Sequence, residues 1–467
     1  MSHYPVESLT EEQLKVLSVV CLATFLFFNS YGSINVALPT IQSQLGISLA
    51  ALQWISFVGL VIVSSLSLSF GKAGDLLGRN RLYRFGVTMY AVGSGLAAFA
   101  GSYSQLLTFR IVMTIGLAMA FPMSAAILAS TCPPQRRGEV LGWLAASIAI
   151  GRATGPAVGG LMLFLWGWRA IFLANFLIGL GVSLAVFKVL KGKEERKKEP
   201  FDFWGAFTLV VGYPSLLLAL SLGAKSGWTS FYVLLWFSLS VLGLFSFTVT
   251  EFRAKNPLIR PSLFKSLPLS AAILSLALNS GVHYPIFMLG PLYMQNVLGF
   301  SPLMIGLIAT TLPLLTAVTS PVSGRLADRM DAGSVAAVGL FFTLLGILIY
   351  SRFGVDSSYL LILSSFALIG VGIGFFIPAN QRVAFSAVSR EDYGILSAML
   401  SSFGPAAGTI GIALTVALLE GTMTGRTIED PIAFSNAQQF AFSSLLPFAV
   451  LAIFVCLAGK WKRPAET

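Results

Sequence analysis

Fourteen apolar runs, each near the ~20 residues that a helix needs to cross a ~30 Å hydrocarbon core, constrain this chain more than any other feature. They cover 15–37, 51–71, 81–100, 104–129, 138–164, 168–190, 203–222, 228–250, 268–296, 302–323, 334–352, 357–379, 391–418 and 437–459. The runs are apolar all round and lack the polar stripe at a 3.6-residue period that a helix on a soluble core carries. With 56% hydrophobic and 10% charged residues, the chain reads as an all-α polytopic membrane protein, and a large soluble core is excluded.

An even number of crossings puts both termini on one side, and the basic residues say which. The loops on that side carry Lys72, Arg79, Arg81 and Arg84; Arg136 and Arg137; KGKEERKK at 191–198; Arg253, Lys255, Arg260 and Lys265; Arg325 and Arg329; Arg382 and Arg390; then Lys460, Lys462 and Arg463. The opposite loops hold only Arg169, Lys225, Arg352 and Arg426. By the positive-inside rule both termini are expected in the cytoplasm, in a multi-pass protein of the plasma (inner) membrane. That placement also explains the net charge of +11 without a nucleic-acid partner, since the positives meet anionic membrane lipid. The acidic start MSHYPVESLTEEQL has no basic n-region, so the first run is expected to stay as a helix. Cys21, Cys132 and Cys456 are odd in number and scattered, which predicts neither disulfides nor a metal site.

One loop pattern occurs twice. GKAGDLLGR begins at Gly71 and GRLADRM at Gly324, 253 residues apart, and the same offset carries Lys15 to 268, where the ninth run starts. The chain therefore reads as a six-helix bundle over 1–200, a two-helix insert over 201–265 and a second six-helix bundle over 266–467. Such parallel repeats are a transporter arrangement, with the substrate expected near the midplane between them. In these loops Gly71 and Gly74 are expected to form a sharp turn. Asp75 and its repeat Asp328 are expected to accept hydrogen bonds from a facing helix, and Arg79 to pair with a carboxylate, as contacts that gate one state. In IGRATGPAVGGL, Gly151, Gly155 and Gly159 fall on one helix face and permit close packing, while Pro156 removes a backbone donor and bends the helix.

GKAGDLLGRNR resembles the loop between helices two and three of the major facilitator superfamily. LLTFRIVMTIGLAMA is similar to its helix-four arginine motif, and GRATGPAVGG to its helix-five antiporter motif. More narrowly, NVALPTIQSQLGIS, WGWRAIFLANFLIGL and GPLYMQNVLGFSPLMIGL resemble the fourteen-helix drug:proton antiporter branch. The resemblance spans nearly the whole chain. It implies the major facilitator fold with two added helices, and a role for Gly155 and Pro156 in sealing the interface between bundles.

The chain departs from that branch at one position. The branch places an aspartate in helix one, a presumed proton and cation site, five residues before the Asn-Val-Ala-Leu-Pro; here that residue is Ser30. No Asp or Glu lies deep in any run, and the embedded ionisable groups are Arg110, Arg152 and His283. At 1.5 Å per residue, Arg152 lies roughly 21 Å, and Ser30 and His283 about 22 Å, from the cytoplasmic helix ends, with Arg110 at about the same level. His283 is also the repeat counterpart of position 30. A charge at mid-bilayer costs about 2.5–3.5 kcal/mol on translocon scales, so two arginines without an acid predict a cationic cavity that stabilises a guest with an anionic or polar head. His283, whose side-chain type is the only one among the embedded groups with an ordinary pKa near neutrality, is the expected coupling proton carrier. Asn29, Ser30, Arg110, Arg152, His283, Tyr284 and Tyr293 are the expected substrate contacts, alongside cavity aromatics such as Phe28, Tyr31 and Phe121.

The expected function is secondary active export of amphipathic small molecules by alternating access, coupled to protons. Two alternatives remain open: an uncoupled facilitator or lipid-moving transporter of the same fold, and a non-transporting sensor or scaffold. An enzyme is not expected, because no nucleophile–base pair, metal cluster or phosphate-cradling loop is present. No cofactor is expected, the protein is expected to act as a monomer, and the loop 420–436 is expected to be a solvated connector.

Overall fold

The computed structural model describes residues 9–132, 136–190, 203–253, 260–389, 393–423 and 430–459. These form fourteen α-helices, α1 (Glu11–Leu45), α2 (Leu49–Leu77), α3 (Arg79–Ala98), α4 (Tyr103–Thr131), α5 (Arg137–Trp166), α6 (Trp168–Val189), α7 (Phe203–Ser226), α8 (Phe231–Arg253), α9 (Leu267–Asn296), α10 (Pro302–Arg329), α11 (Ala332–Tyr350), α12 (Tyr359–Ser386), α13 (Tyr393–Thr422) and α14 (Pro431–Ala458). Among the described residues thirteen of them are long and apolar enough to cross a membrane. The exception is α3, whose first turns carry Arg79, Arg81 and Arg84. Side-chain caps fix several starts: Thr10, with Gln13 as the reciprocal partner, for α1, Ser48 for α2, Ser102 for α4 and Asp430 for α14. Below, the terminal face is the side on which α1 begins and α14 ends, and the far face is the opposite one.

The helices run past the apolar cores predicted for them. α1 continues through Pro39 to Leu45, so the stretch expected to follow the first helix lies inside it. The segment Gly71–Leu77, expected to hold a turn, is the last part of α2, and the chain reverses instead at Gly78, whose φ of 102° only glycine adopts readily. A Cβ on Gly71 would meet nothing within 4 Å, so that glycine serves neither turn nor packing. Gly74 is different: its missing side chain leaves room for Met123 of α4. The repeat is matched at α10, which likewise extends through the second copy of the pattern to Arg329.

Packing follows three groups of neighbours. α1 lies along α5, α3 along α4 and α6, and α2 along α4; α11 lies along α12 and α14, α10 along α12, and α9 along α13 and α14. α8 packs chiefly on α7, where a Cβ on Gly243 would sit 2.6 Å from the Gly212 Cα. Between the first six and last six helices the main seams are α5 with α10 and α2 with α13, with α1 and α9 meeting beside them.

α7 is more than an appendage. The Tyr213 hydroxyl donates to the Ala406 carbonyl of α13 at 3.1 Å and pairs with the Thr409 hydroxyl. Nearer the far face, the Ser221 hydroxyl of α7 accepts from Gln53 and from the Trp54 indole of α2. One inserted helix is thus hydrogen-bonded to both partners of a seam.

Candidate functional site

α5 builds the site because two adjacent faces of it do different work. Gly151, Gly155 and Gly159 face α1: Cβ atoms there would fall 2.7 Å from the Phe25 carbonyl oxygen, 2.5 Å from that of Asn29 and 2.7 Å from the Ser33 Cβ. Hydrogen bonds lock this seam, from Asn29 Nδ2 to the Thr154 hydroxyl at 2.9 Å and from the Ser33 hydroxyl to the Gly155 carbonyl at 2.8 Å. The neighbouring face holds residues 152, 156 and 160, again four apart. There a Cβ on Gly160 would lie 2.6 Å from the Pro302 carbonyl oxygen and 3.0 Å from the Gly306 Cα of α10, and one on Gly306 would lie 3.2 Å from the carbonyl carbon of Pro156. Gly155 therefore belongs to the seam within the first six helices and Gly160 to the seam that joins them to α10, while Pro156 touches both, its ring against Gly32 of α1 and its carbonyl against Gly306.

Arg152 sits one turn below Pro156 on that second face, yet it is exposed. α5 and α10 touch backbone to backbone near the far face, and two turns toward the terminal face the guanidinium is exposed; the space it faces is the cleft. The guanidinium lies over the ring of Phe28, 4.8 Å from its centroid, and Phe28 in turn meets Phe121 of α4 edge to face at 5.2 Å. From the other side of the cleft, His283 and Tyr284 of α9 come within the field of Arg152, as does Tyr31 of α1. Among the described residues no carboxylate pairs with it.

His283 is buried, with Nδ1 2.6 Å from the carbonyl oxygen of Asn279. A carbonyl only accepts, so Nδ1 carries the hydrogen and Nε2 is the position free to take a proton. The imidazole is flanked by Tyr284 at 4.9 Å and Phe287 at 6.2 Å between ring centroids.

Of the four residues expected at one depth, Arg152 and His283 come together, with Tyr284 and Tyr31 beside them, whereas Arg110 and Ser30 lie apart from that pair, beside Tyr90. Arg110, by contrast with Arg152, is only 5% exposed: it has Tyr90 of α3 and Tyr31 of α1 within its field, and a Cβ on Gly59 of α2 would lie 3.8 Å from its Nη2. Ser30 is 1% exposed and faces the Tyr90 hydroxyl. Asn29 is spent on Thr154. Tyr293 is a correction: its hydroxyl donates to the Gly354 carbonyl at 2.6 Å and its ring stacks on Phe353, which fixes it at the far end of α9 away from the cleft. Its aromatic type and run position match a cavity residue, and only the tertiary partner tells them apart. On the terminal face Asp328 of α10 forms an ion pair with Arg382 of α12. Asp75 lies in the last turns of α2, its side chain outside the described set, and Arg79 opens α3. Residues 424–429 of the connector expected at 420–436 lie outside the described residues.

The model of the family described as Major Facilitator Superfamily matches residues 20–411 and, again, 269–466. The chain is 29% identical to the multidrug resistance protein Stp of Mycobacterium tuberculosis (strain H37Rv), over 90% of this chain and 80% of that one. It is 26% identical to the multidrug transporter protein MdtP of Bacillus subtilis (strain 168), over 90% and 78%. It is 27% identical to the tetracenomycin C resistance and export protein of Streptomyces glaucescens, over 93% and 81%. Among solved structures, a bacterial homolog of the human lysosomal transporter Spinster, inward-facing and unoccupied, superposes with a TM-score of 0.67 at 18% identity, covering 98% of this chain and 100% of that one. The fold, the repeated match and these relatives agree: the chain is a membrane-spanning secondary transporter, not an enzyme, and it belongs to the major facilitator superfamily.

Proposed function

We propose that the protein exports amphipathic small molecules with an anionic or polar head, by alternating access between a bundle over 1–200 and a bundle over 266–467, in the plasma membrane with both termini cytoplasmic. The observation that carries this reading is Arg152: an exposed charge within the cleft, without an acidic partner among the described residues, beside aromatic surface from Phe28, Tyr31 and Tyr284. On this reading the cytoplasm and inner leaflet meet the open end of the cleft. The head group docks on Arg152 by charge-assisted hydrogen bonds and the apolar body lies against the rings. His283 takes and releases the coupling proton at Nε2. The Gly160–Gly306 contact with the Pro156 carbonyl closes the outside, and Asp75, Arg79 and the Asp328–Arg382 pair act on the cytoplasmic side. The resemblance to multidrug and antibiotic exporters supports the direction.

The sign of the field favours a second reading as well. A proton on His283 strengthens the binding of an anion at Arg152, which is the linkage of co-movement rather than exchange. An anion also leaves a cell with a negative interior down its potential without help. An uncoupled facilitator or lipid-moving transporter is therefore the alternative. Proteoliposomes with an internal pH dye, challenged with cationic, neutral and anionic amphiphiles, separate the two. Proton flux evoked by anionic guests and lost in His283→Ala supports coupling. Guest movement without protons in both proteins makes this a facilitator, and equal affinity for anionic guests in Arg152→Gln refutes the anionic-head reading.

A further inference from the structure

Arg110 is a buried charge that substrate binding does not explain. Only 5% of it is exposed, and its Nε–H meets no protein acceptor. Tyr90 of α3 and Tyr31 of α1 lie within its field. The Tyr90 hydroxyl faces that of Ser30, and Tyr31 lies beside Asn35. Neither the Ser30 and Tyr90 hydroxyls nor Asn35 Nδ2 makes a geometrically sound hydrogen bond to protein, and exposure is 1%, 1% and 5% for Ser30, Tyr90 and Asn35. The other amide atom of Asn35 accepts from Ser56 at 3.3 Å, which leaves the donor end over. Hydroxyls from α1 and α3 thus lie in the neighbourhood of the α4 guanidinium with hydrogen-bonding capacity unspent, and among the described residues no carboxylate pairs with it.

Water can satisfy such donors, but it cannot cancel the charge, and a buried cation is tolerated when an opposite charge is bound to it. A compact spherical anion needs neither a planar partner nor an open path of the width a drug-sized molecule requires, and N–H and O–H groups are the ligands it takes. We propose that Arg110 holds a small monovalent inorganic anion, chloride in the cell, as a resident counter-ion between α1, α3 and α4. The anion does electrostatically what a carboxylate at position 30 would do covalently. Arg152, exposed and stacked on Phe28, is left to the transported guest. The site is independent of what is carried and in which direction.

The test is thermal unfolding of the purified protein in lipid nanodiscs, without substrate, as potassium gluconate is exchanged for potassium chloride at fixed ionic strength. The parent is expected to show a Tm that rises with chloride and saturates, as binding to the folded state requires. Bromide should act like chloride, Arg152→Gln should keep the response and Arg110→Gln should lose it. Because Arg110→Gln can fail to fold, Ser30→Asp decides: a carboxylate facing Tyr90 beside Arg110 should give, in gluconate alone, the Tm that the parent reaches in chloride, with no further rise. A parent whose Tm is the same in both salts overturns the proposal, as does a chloride response that survives in Ser30→Asp or vanishes in Arg152→Gln. A chloride-blind parent that still exports anionic amphiphiles would remove the counter-ion and leave the export reading standing.

Discussion

Replacing Gly160 with alanine adds one methyl group at the point where α5 and α10 close the far face. Its carbon would lie 2.6 Å from the Pro302 carbonyl oxygen and 3.0 Å from the Gly306 Cα. Both neighbours are backbone, so no side-chain rotation relieves the overlap, and the helices have to part. Overpacking of this kind costs about 1–3 kcal/mol. If the seam exists only when the far face is shut, that cost falls on one state alone and shifts the conformational equilibrium about 5–150-fold toward the outward-open form. Spin labels at Leu165, exposed near the far end of α5, and Val355, exposed in the connection after α11, report the opening as a longer distance by pulsed electron resonance. Gly71→Ala is the matched control, since its Cβ meets nothing within 4 Å. A folded Gly160→Ala protein with the parent's distance distribution would show that the seam has slack, and the close approach would then not be what holds the far face shut.

Other expectations are read at separate positions. Arg152→Gln should raise the KM for anionic amphiphiles at least tenfold, a loss of about 1.4 kcal/mol or more, as expected from the low end of the range for hydrogen bonds to charged groups upward, and should leave neutral guests less affected. Tyr213→Phe removes the bonds of α7 to Thr409 and the Ala406 carbonyl; stability should fall by about 0.5–1.5 kcal/mol for a hydrogen bond lost, and the interconversion rate measured by single-molecule fluorescence should rise. Asp328→Asn breaks a pair whose side chains are 61% and 48% exposed, so Tm should change little while the transport rate falls. A large Tm loss with normal transport would make that pair structural.

The apolar runs located the helices because membrane length is written in composition, and most run ends agree with the structure within a few residues. What composition could not show was where helices outlast the bilayer. α2 runs on to Leu77 and α12 to Ser386 through polar residues that hydropathy reads as loop. Glycine misled for a related reason: Gly71 and Gly74 look like turn residues, but in a helix-packed protein glycine also marks close approach, and only the partner distinguishes the uses. The level shared by Arg152 and His283 was readable from the helical rise, whereas the burial of Arg110 was not, because depth along a helix says nothing about the direction a side chain faces. The role of Tyr213 and Ser221 in joining α7 to its neighbours was missed although the signal was present as polar groups inside an apolar run.

The two faces of α5 explain why a membrane helix keeps an arginine at mid-depth. Gly151, Gly155 and Gly159 bind the helix to α1 through backbone contacts and the Asn29–Thr154 bond, so α5 moves with α1 as one body. Residues 156 and 160 form the surface along which that body meets α10, and the arginine lies one turn before them on the same face, where it is exposed. If the pair rocks as the proposed alternating access requires, a charge fixed to its moving surface faces the open cleft in one state and the opposite opening in the other, and is solvated or occupied in both. On the proposed export cycle, the cost of an intramembrane charge is avoided by the same motion that would let the charge carry a guest, which accounts for the arginine and the glycine-proline segment lying on the same stretch of helix.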